Sequence, residues 1–157
     1  MELFLFKAIT MISIVKASKE HINDLLPLFN SYRVFYKQES NLEATKDFLE
    51  KRLDLNEAII FLAYINDNPA GFTLLYKTFS SVSLLPVFIL NDLYVDKDYR
   101  QKGIGEALLN RAKKHYIEKQ HKGLTLETDV NNPAQKLYEK LGWKKNSLCF
   151  HYFWSAN

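Results

Sequence analysis

Short apolar runs take turns along this chain with stretches whose apolar residues recur every third or fourth position. The runs predict strands and the stretches predict amphipathic helices, because that spacing puts side chains on one helix face. Residues 12–17 form the first run. Ser18 then stands where it can cap a helix whose inward face would carry Ile22, Leu25, Leu26, Phe29, Tyr32 and Phe35. Ser40-Asn41-Leu42-Glu43 has the form of a capping box, and a second helix should follow with Phe48, Leu49 and Leu53 turned inward.

Residues 58–65 and 71–79, separated by Asn66-Asp67-Asn68-Pro69, predict an antiparallel pair closed by a polar turn. Residues 84–95, rich in Val, Ile, Phe and Tyr, predict a strong central strand. A third helix is marked by Ile104, Leu108, Leu109, Ala112 and Tyr116, with Glu106, Lys113 and Lys114 on its other face. Residues 124–130 return as a strand, 133–141 as a short helix stopped by Gly142, and 143–154 as the last extended pieces. This order predicts a mixed α/β fold with an antiparallel start and a β-α-β crossover late in the chain.

Composition narrows the class. A chain of 157 residues, 47% hydrophobic and 14% aromatic, fills one core and is short for two. Residues 12–157 therefore read as a single domain, and residues 1–11 as an extension or a mis-called start, since Met11 immediately precedes the first strand. No apolar run approaches the roughly 18 residues of a membrane span. The first residues also lack the positive n-region and cleavage site of a secretory signal. Cys149 is the single cysteine; it fits a reducing cytoplasm and, by residue type, is expected to be buried. A net charge of +3, from 21 basic and 18 acidic residues, is too weak for a typical nucleic-acid module. The expected partners are small molecules, with no nucleic acid and no membrane. His21, His115, His121 and His151 lack ligand spacing, so no metal is assigned.

The chemistry concentrates at the end of the central strand, where Val95-Asp96-Lys97-Asp98-Tyr99-Arg100-Gln101-Lys102-Gly103-Ile104-Gly105 leads into the third helix. Strand, glycine-bearing turn and helix start make an anion site. Two positions without Cβ let the main chain approach a ligand, while the free amides of the first helical turn and the helix dipole favour negative charge. Arg100 and Lys102 add positive charge. Leu108 replaces the third glycine of a dinucleotide fingerprint, and no Gly-Lys-Ser/Thr of a P-loop follows.

Arg100-x-x-Gly103-x-Gly105 after Leu93-Tyr94-Val95 resembles the acetyl-CoA motif of the GCN5-related N-acetyltransferase (GNAT) superfamily. Asn131-x-x-Ala134-x-x-x-Tyr138-x-x-x-Gly142-Trp143 is similar to the second cofactor motif of that superfamily, so the resemblance covers about residues 90–143. It implies a mostly antiparallel central mixed sheet of about six or seven strands flanked by about four helices. It also implies acetyl-CoA as cofactor. The amides of Gln101, Lys102, Gly103, Ile104 and Gly105, with Arg100 beside them, would hold the pyrophosphate. The main chain around Leu93, Tyr94 and Val95 would pair with the pantetheine arm, and Asn131 would bond the arm near the thioester. Tyr138 would aim its hydroxyl at the sulfur. Asn131 equally suits a helix cap, and Tyr138 equally suits packing.

An alkylammonium has a pKa of about 10.4, so presenting the neutral amine at pH 7 costs about 5 kcal/mol and calls for a proton acceptor. Glu127, where the resemblance allows a glutamate base, and Asp92, on the central strand among apolar residues, are the candidates; Asp129, two positions on, is weaker. Tyr138 suits a general acid for the departing thiolate, and a main-chain amide near Leu93 or Tyr94 suits the developing oxyanion. Tyr32, Tyr36 and Glu39, at the end of the first helix, offer a surface for a cationic amine. The stretches Tyr32-Arg33-x-Phe35-Tyr36 and Leu90-Asn91-Asp92-Leu93-Tyr94-Val95 are similar to a branch that includes yeast histone and polyamine acetyltransferases. The reading is an N-acetyltransferase acting on a small amine, a polyamine or lysine. A CoA-binding regulatory protein without turnover fits the same motifs, and a nucleic-acid module fits them less well. The aromatic run in residues 150–154 offers a strand for pairing two copies into a homodimer.

Overall fold

The computed structural model describes residues 10–120 and 123–156; the expectations for residues 1–9 and for His121 lie outside them. The chain falls into two compact units, Met1–Glu127 and Thr128–Asn157. In the first, a five-stranded sheet has its strands in chain order. Strand β1 (Ile12–Lys16) pairs antiparallel with β2 (Ala58–Ile65), β2 with β3 (Asn68–Ser80), and β3 with β4 (Leu85–Val95). Strand β5 (Leu124–Thr125) runs parallel to β4 after the crossover through helix α3 (Ile104–Glu118). Helices α1 (Ile22–Phe35) and α2 (Leu42–Asp54) connect β1 to β2.

Local chemistry explains these boundaries and moves several of the expected ones. Ser18 opens a single 3-10 turn, Lys19–His21, ahead of α1, and its amide donates to His21 Nδ1 at 3.0 Å. The cap of α2 is Asn41, whose side chain accepts from the Ala44 amide at 2.9 Å; Ser40 instead accepts from Asn30 Nδ2. The polar turn between β2 and β3 tightens to Asn66 and Asp67, both with positive φ, the backbone of a two-residue hairpin loop.

The core lies between the sheet and α1 and α2. Ile22, Leu25, Leu28 and Phe29 of α1 and Leu49 of α2 are buried with Ile60, Leu62, Phe72 and Leu74 of the sheet. Phe35 and Phe48, expected to face inward, are exposed. On the other side, α3 buries Ile104, Leu108, Leu109 and Ala112, and places His115 between the rings of Phe61 and Phe88.

The expected strand over residues 124–130 ends at Thr125. Past it, short polar side chains bond locally: Asp129 Oδ1 accepts from the Asn131 backbone amide at 2.7 Å, and Thr128 Oγ1 accepts from the Asn132 side chain. In the second unit, helix α4 (Gln135–Lys140) is stopped by Gly142 at φ 90°. No strand forms over residues 143–154, and among the described residues the sheet has five strands where about six or seven were expected. Asn146 turns the chain there by accepting from the Leu148 amide, and a strand exists only where a neighbour takes its hydrogen bonds. Cys149 is exposed, contrary to the preference of its residue type.

Candidate active site

At the end of β4 the chain is tied down before it turns. The Asp96 amide donates to Ala70 O at 2.9 Å, Asp96 Oδ1 accepts from the Asp98 amide, and Arg100 Nε donates to Val95 O at 3.0 Å. Arg100 therefore braces the turn as well as charging it. Gln101 (φ 59°) and Gly103 (φ 84°) are both left-handed, and Gly103 is the residue from which α3 starts. The amides at the start of α3 have no helical acceptors behind them, so they and the helix dipole point at one place. A cradle of main-chain amides flanked by the exposed Arg100 and Lys102 fits a diphosphate.

Beside this turn, β4 is paired on one side only. Its partner β3 runs its whole length, whereas β5 reaches only Phe88 and Ile89. From Leu90 to Val95 the other edge, which carries Leu93 and Tyr94, has no strand partner among the described residues. An extended arm can add there as a strand would.

A bulge decides where Asp92 points. Leu74 pairs with Asp92 and Leu75 with Leu90, leaving Asn91 as an extra residue. Without it, Asp92 would share the face of Phe88 and Leu90, towards α3. The extra residue turns it to the α1 face instead. There the Tyr32 hydroxyl donates to Asp92 Oδ1 at 2.5 Å, and Asn91 Nδ2 donates to the same oxygen at 3.1 Å. Asp92 is 6% exposed. Burial pushes its carboxyl above the usual range, and the bonds from Tyr32 and Asn91 hold it down in part. Burial also raises the Tyr32 phenol, with the bond to Asp92 second, and raises that of Tyr94.

Of the other acceptor-side candidates, Tyr36 stands edge-on to Tyr32, ring centres 5.0 Å apart, and is exposed. Glu39 is exposed, and its carbonyl accepts from Arg33 Nη1 at 3.3 Å. Glu127 is exposed and lies beyond the end of β5. In the second unit, Asn132 Oδ1 accepts from the Ala134 amide at 2.9 Å in the turn ahead of α4, whose N-cap is Ala134. The exposed side chain of Asn131 makes no hydrogen bond among the described residues. Tyr138 is buried, with Trp143 as a ring neighbour at 6.3 Å.

Two contributors escaped the sequence reading. Asn91 reads as one more polar residue in a strand until the register shows the bulge. Gly71 sits where a Cβ would come within 2.6 Å of Tyr94 O, so its bareness lets β3 lie close to β4 at the cofactor edge. Its only signal was a glycine opening the expected strand, which the structure extends back to Asn68.

Comparison with known proteins agrees with this geometry. A model of the Acetyltransferase (GNAT) family matches residues 22–143, which takes in α1, the whole of β4, the turn and α4. The chain belongs to that family. An uncharacterized N-acetyltransferase, YhfO, of Bacillus subtilis (strain 168) is 44% identical over 129 residues, covering 82% of this chain and 87% of that protein. A probable acetyltransferase of Haemophilus influenzae is 33% identical over 137 residues, 79% of this chain and 94% of its own length. The crystal structure of a probable acetyltransferase superposes with a TM-score of 0.87 at 39% identity, covering 92% of this chain and 98% of that one. This acetyltransferase is thus an enzyme of the N-acetyltransferase class with a mixed α/β GNAT fold, and acetyl-CoA is its acetyl donor. No helix among the described residues is long and apolar enough to cross a membrane.

Proposed function

We propose that the enzyme acetylates a primary amine by direct attack, with Asp92 as the proton acceptor and Tyr138 as the proton donor. The amine is that of a small molecule, a polyamine or a lysine. Acetyl-CoA supplies the activated acetyl thioester. The amides of residues 101–105, with Arg100 and Lys102, hold the diphosphate; the open edge at Leu93, Tyr94 and Val95 and the uncommitted side chain of Asn131 hold the arm.

The observation that carries this reading is the buried Asp92 carboxylate on the α1 face, within the stretch of β4 whose other edge is open. A carboxyl raised by burial is better matched to taking a proton near neutral pH than an exposed one. That favours Asp92 over Glu127. Tyr36 and Glu39 face solvent at the end of α1, where an ammonium can be met by an aromatic ring and a carboxylate before it loses its proton. The sulfur receives the proton held on the Tyr138 hydroxyl, as the matching motif implies. The single thiol, Cys149, is exposed and unpaired, which supports work in a reducing cytoplasm.

The test is a thermal-shift titration with acetyl-CoA, followed by thiol release with propylamine, spermidine and a lysine peptide. Stabilisation by acetyl-CoA and release with at least one amine are expected. Stabilisation with no release from any of them would overturn the primary-amine reading.

A further inference from the structure

Asp92 carries two oxygens, and its surroundings treat them differently. Oδ1 accepts both the Tyr32 hydroxyl and Asn91 Nδ2. Among the described residues, nothing donates to Oδ2. The asymmetry is built rather than incidental. Tyr32 cannot swing away easily, because its ring is met by those of Phe29 at 5.9 Å, Tyr36 at 5.0 Å, Phe72 at 5.8 Å and Tyr94 at 6.1 Å. Asn91 reaches the side chain of its own neighbour only because the bulge breaks the alternation of faces.

We propose that Tyr32 and Asn91 are positioning residues that occupy Oδ1 of Asp92 and leave Oδ2 as the oxygen that receives the proton of the incoming amine. This assignment rests on Asp92 being the proton acceptor. The step moves one proton: an N–H bond of the incoming ammonium breaks, its electron pair stays on the now neutral nitrogen to attack the acyl carbon, and an O–H bond forms at Oδ2. Two donors on Oδ1 do two things. They keep the buried carboxylate ionised and ready, and they fix its plane so that the open oxygen has a single direction.

Tyr32→Phe is a clean probe, since the ring and its four neighbours remain and only the donor goes. Two measurements read it: a carbon-13 titration of the Asp92 carboxyl in the free protein, and the pH profile of kcat/KM with the fastest amine of the panel above. Loss of the donor favours the protonated carboxyl. The Asp92 titration should move to higher pH, and kcat/KM on the acidic limb should fall about tenfold, the lower end of what a hydrogen bond to a charged group is worth. Above the limb the loss should be smaller than on it, because only the orienting part of the bond is then missing, and Asn91→Ala should move both readouts in the same direction. A titration and a profile that superimpose on those of the wild type overturn the proposal, as does an equal loss at every pH with the titration unmoved. If Asp92→Asn keeps full turnover, the base assignment is at fault, and the carbon-13 titration still reports whether Tyr32 and Asn91 govern Asp92.

Discussion

The Tyr32 hydroxyl lies 2.5 Å from Oδ1 of Asp92, joining the last turn of α1 to the middle of β4 across 60 positions of sequence. A carboxylate held this way is a liability for stability and an asset for proton transfer. Its folded pKa is raised above the ordinary value of 3.8, so the folded state binds the proton more tightly than the unfolded chain. Stability from this group therefore falls as pH rises from about 4 through the folded pKa, and the full penalty is present above it. Asp92→Asn should keep or raise the melting temperature at neutral pH while lowering turnover by at least about a hundredfold. A thermal melt beside a thiol-release assay checks both. Wild-type turnover would remove Asp92 from the chemistry, and a sharp drop in melting temperature would make it structural.

Gly71 tests how closely the sheet is packed at the cofactor edge. An alanine Cβ would come within 2.6 Å of Tyr94 O and 3.2 Å of Val95 Cα, and neither backbone atom can rotate away. Gly71→Ala should cost about 2 kcal/mol or more, as overpacking against a fixed neighbour does. Urea denaturation gives the number, and unaltered stability would show that β3 and β4 separate freely there.

His115 makes the protein acid-sensitive. Burial lowers its pKa from 6.5, and the charges of Lys16 and Arg111 and then Lys119 lower it further, against a smaller opposing pull from Glu118. Its buried Nε2 has no hydrogen-bond partner among the described residues. The folded state wants it neutral while the unfolded chain protonates normally, so stability should decline as pH falls below about 6.5 and level off under the folded pKa. His115→Phe keeps a ring between Phe61 and Phe88 and should flatten that decline. Melting temperatures between about pH 5 and pH 8 decide it, and parallel curves for the two proteins would count against the assignment.

Tyr138 carries a hydroxyl that packing alone does not require. Tyr138→Phe should lower kcat at least about tenfold with CoA affinity unchanged, as for loss of a proton donor used only in the reaction. Steady-state kinetics with calorimetric CoA binding separate the two effects. Equal kcat in both proteins would leave Tyr138 a packing residue.

Much of the architecture could be read from the order of residues because it depends on local rules. Apolar periodicity located α1, α2, α3 and β1 to β4 within a few residues, and the left-handed Gly103 at the entry to α3 follows from needing a residue without Cβ there. The phosphate turn was legible for the same reason: its strand, glycines and helix start are contiguous. Local rules failed where a partner was needed. The aromatic-rich stretch after Trp143 looked extended, but composition cannot supply the neighbouring chain that a strand must bond. Cys149 looked like core by residue type and Phe35 by helical spacing, yet burial depends on what packs over a position. The direction of Asp92 is the sharpest case. Its composition and its strand were visible in the sequence, but which face it took hung on one unpaired residue, Asn91, and so on the register against β3. Register is a relation between two chain segments far apart in sequence, and only the folded sheet sets it.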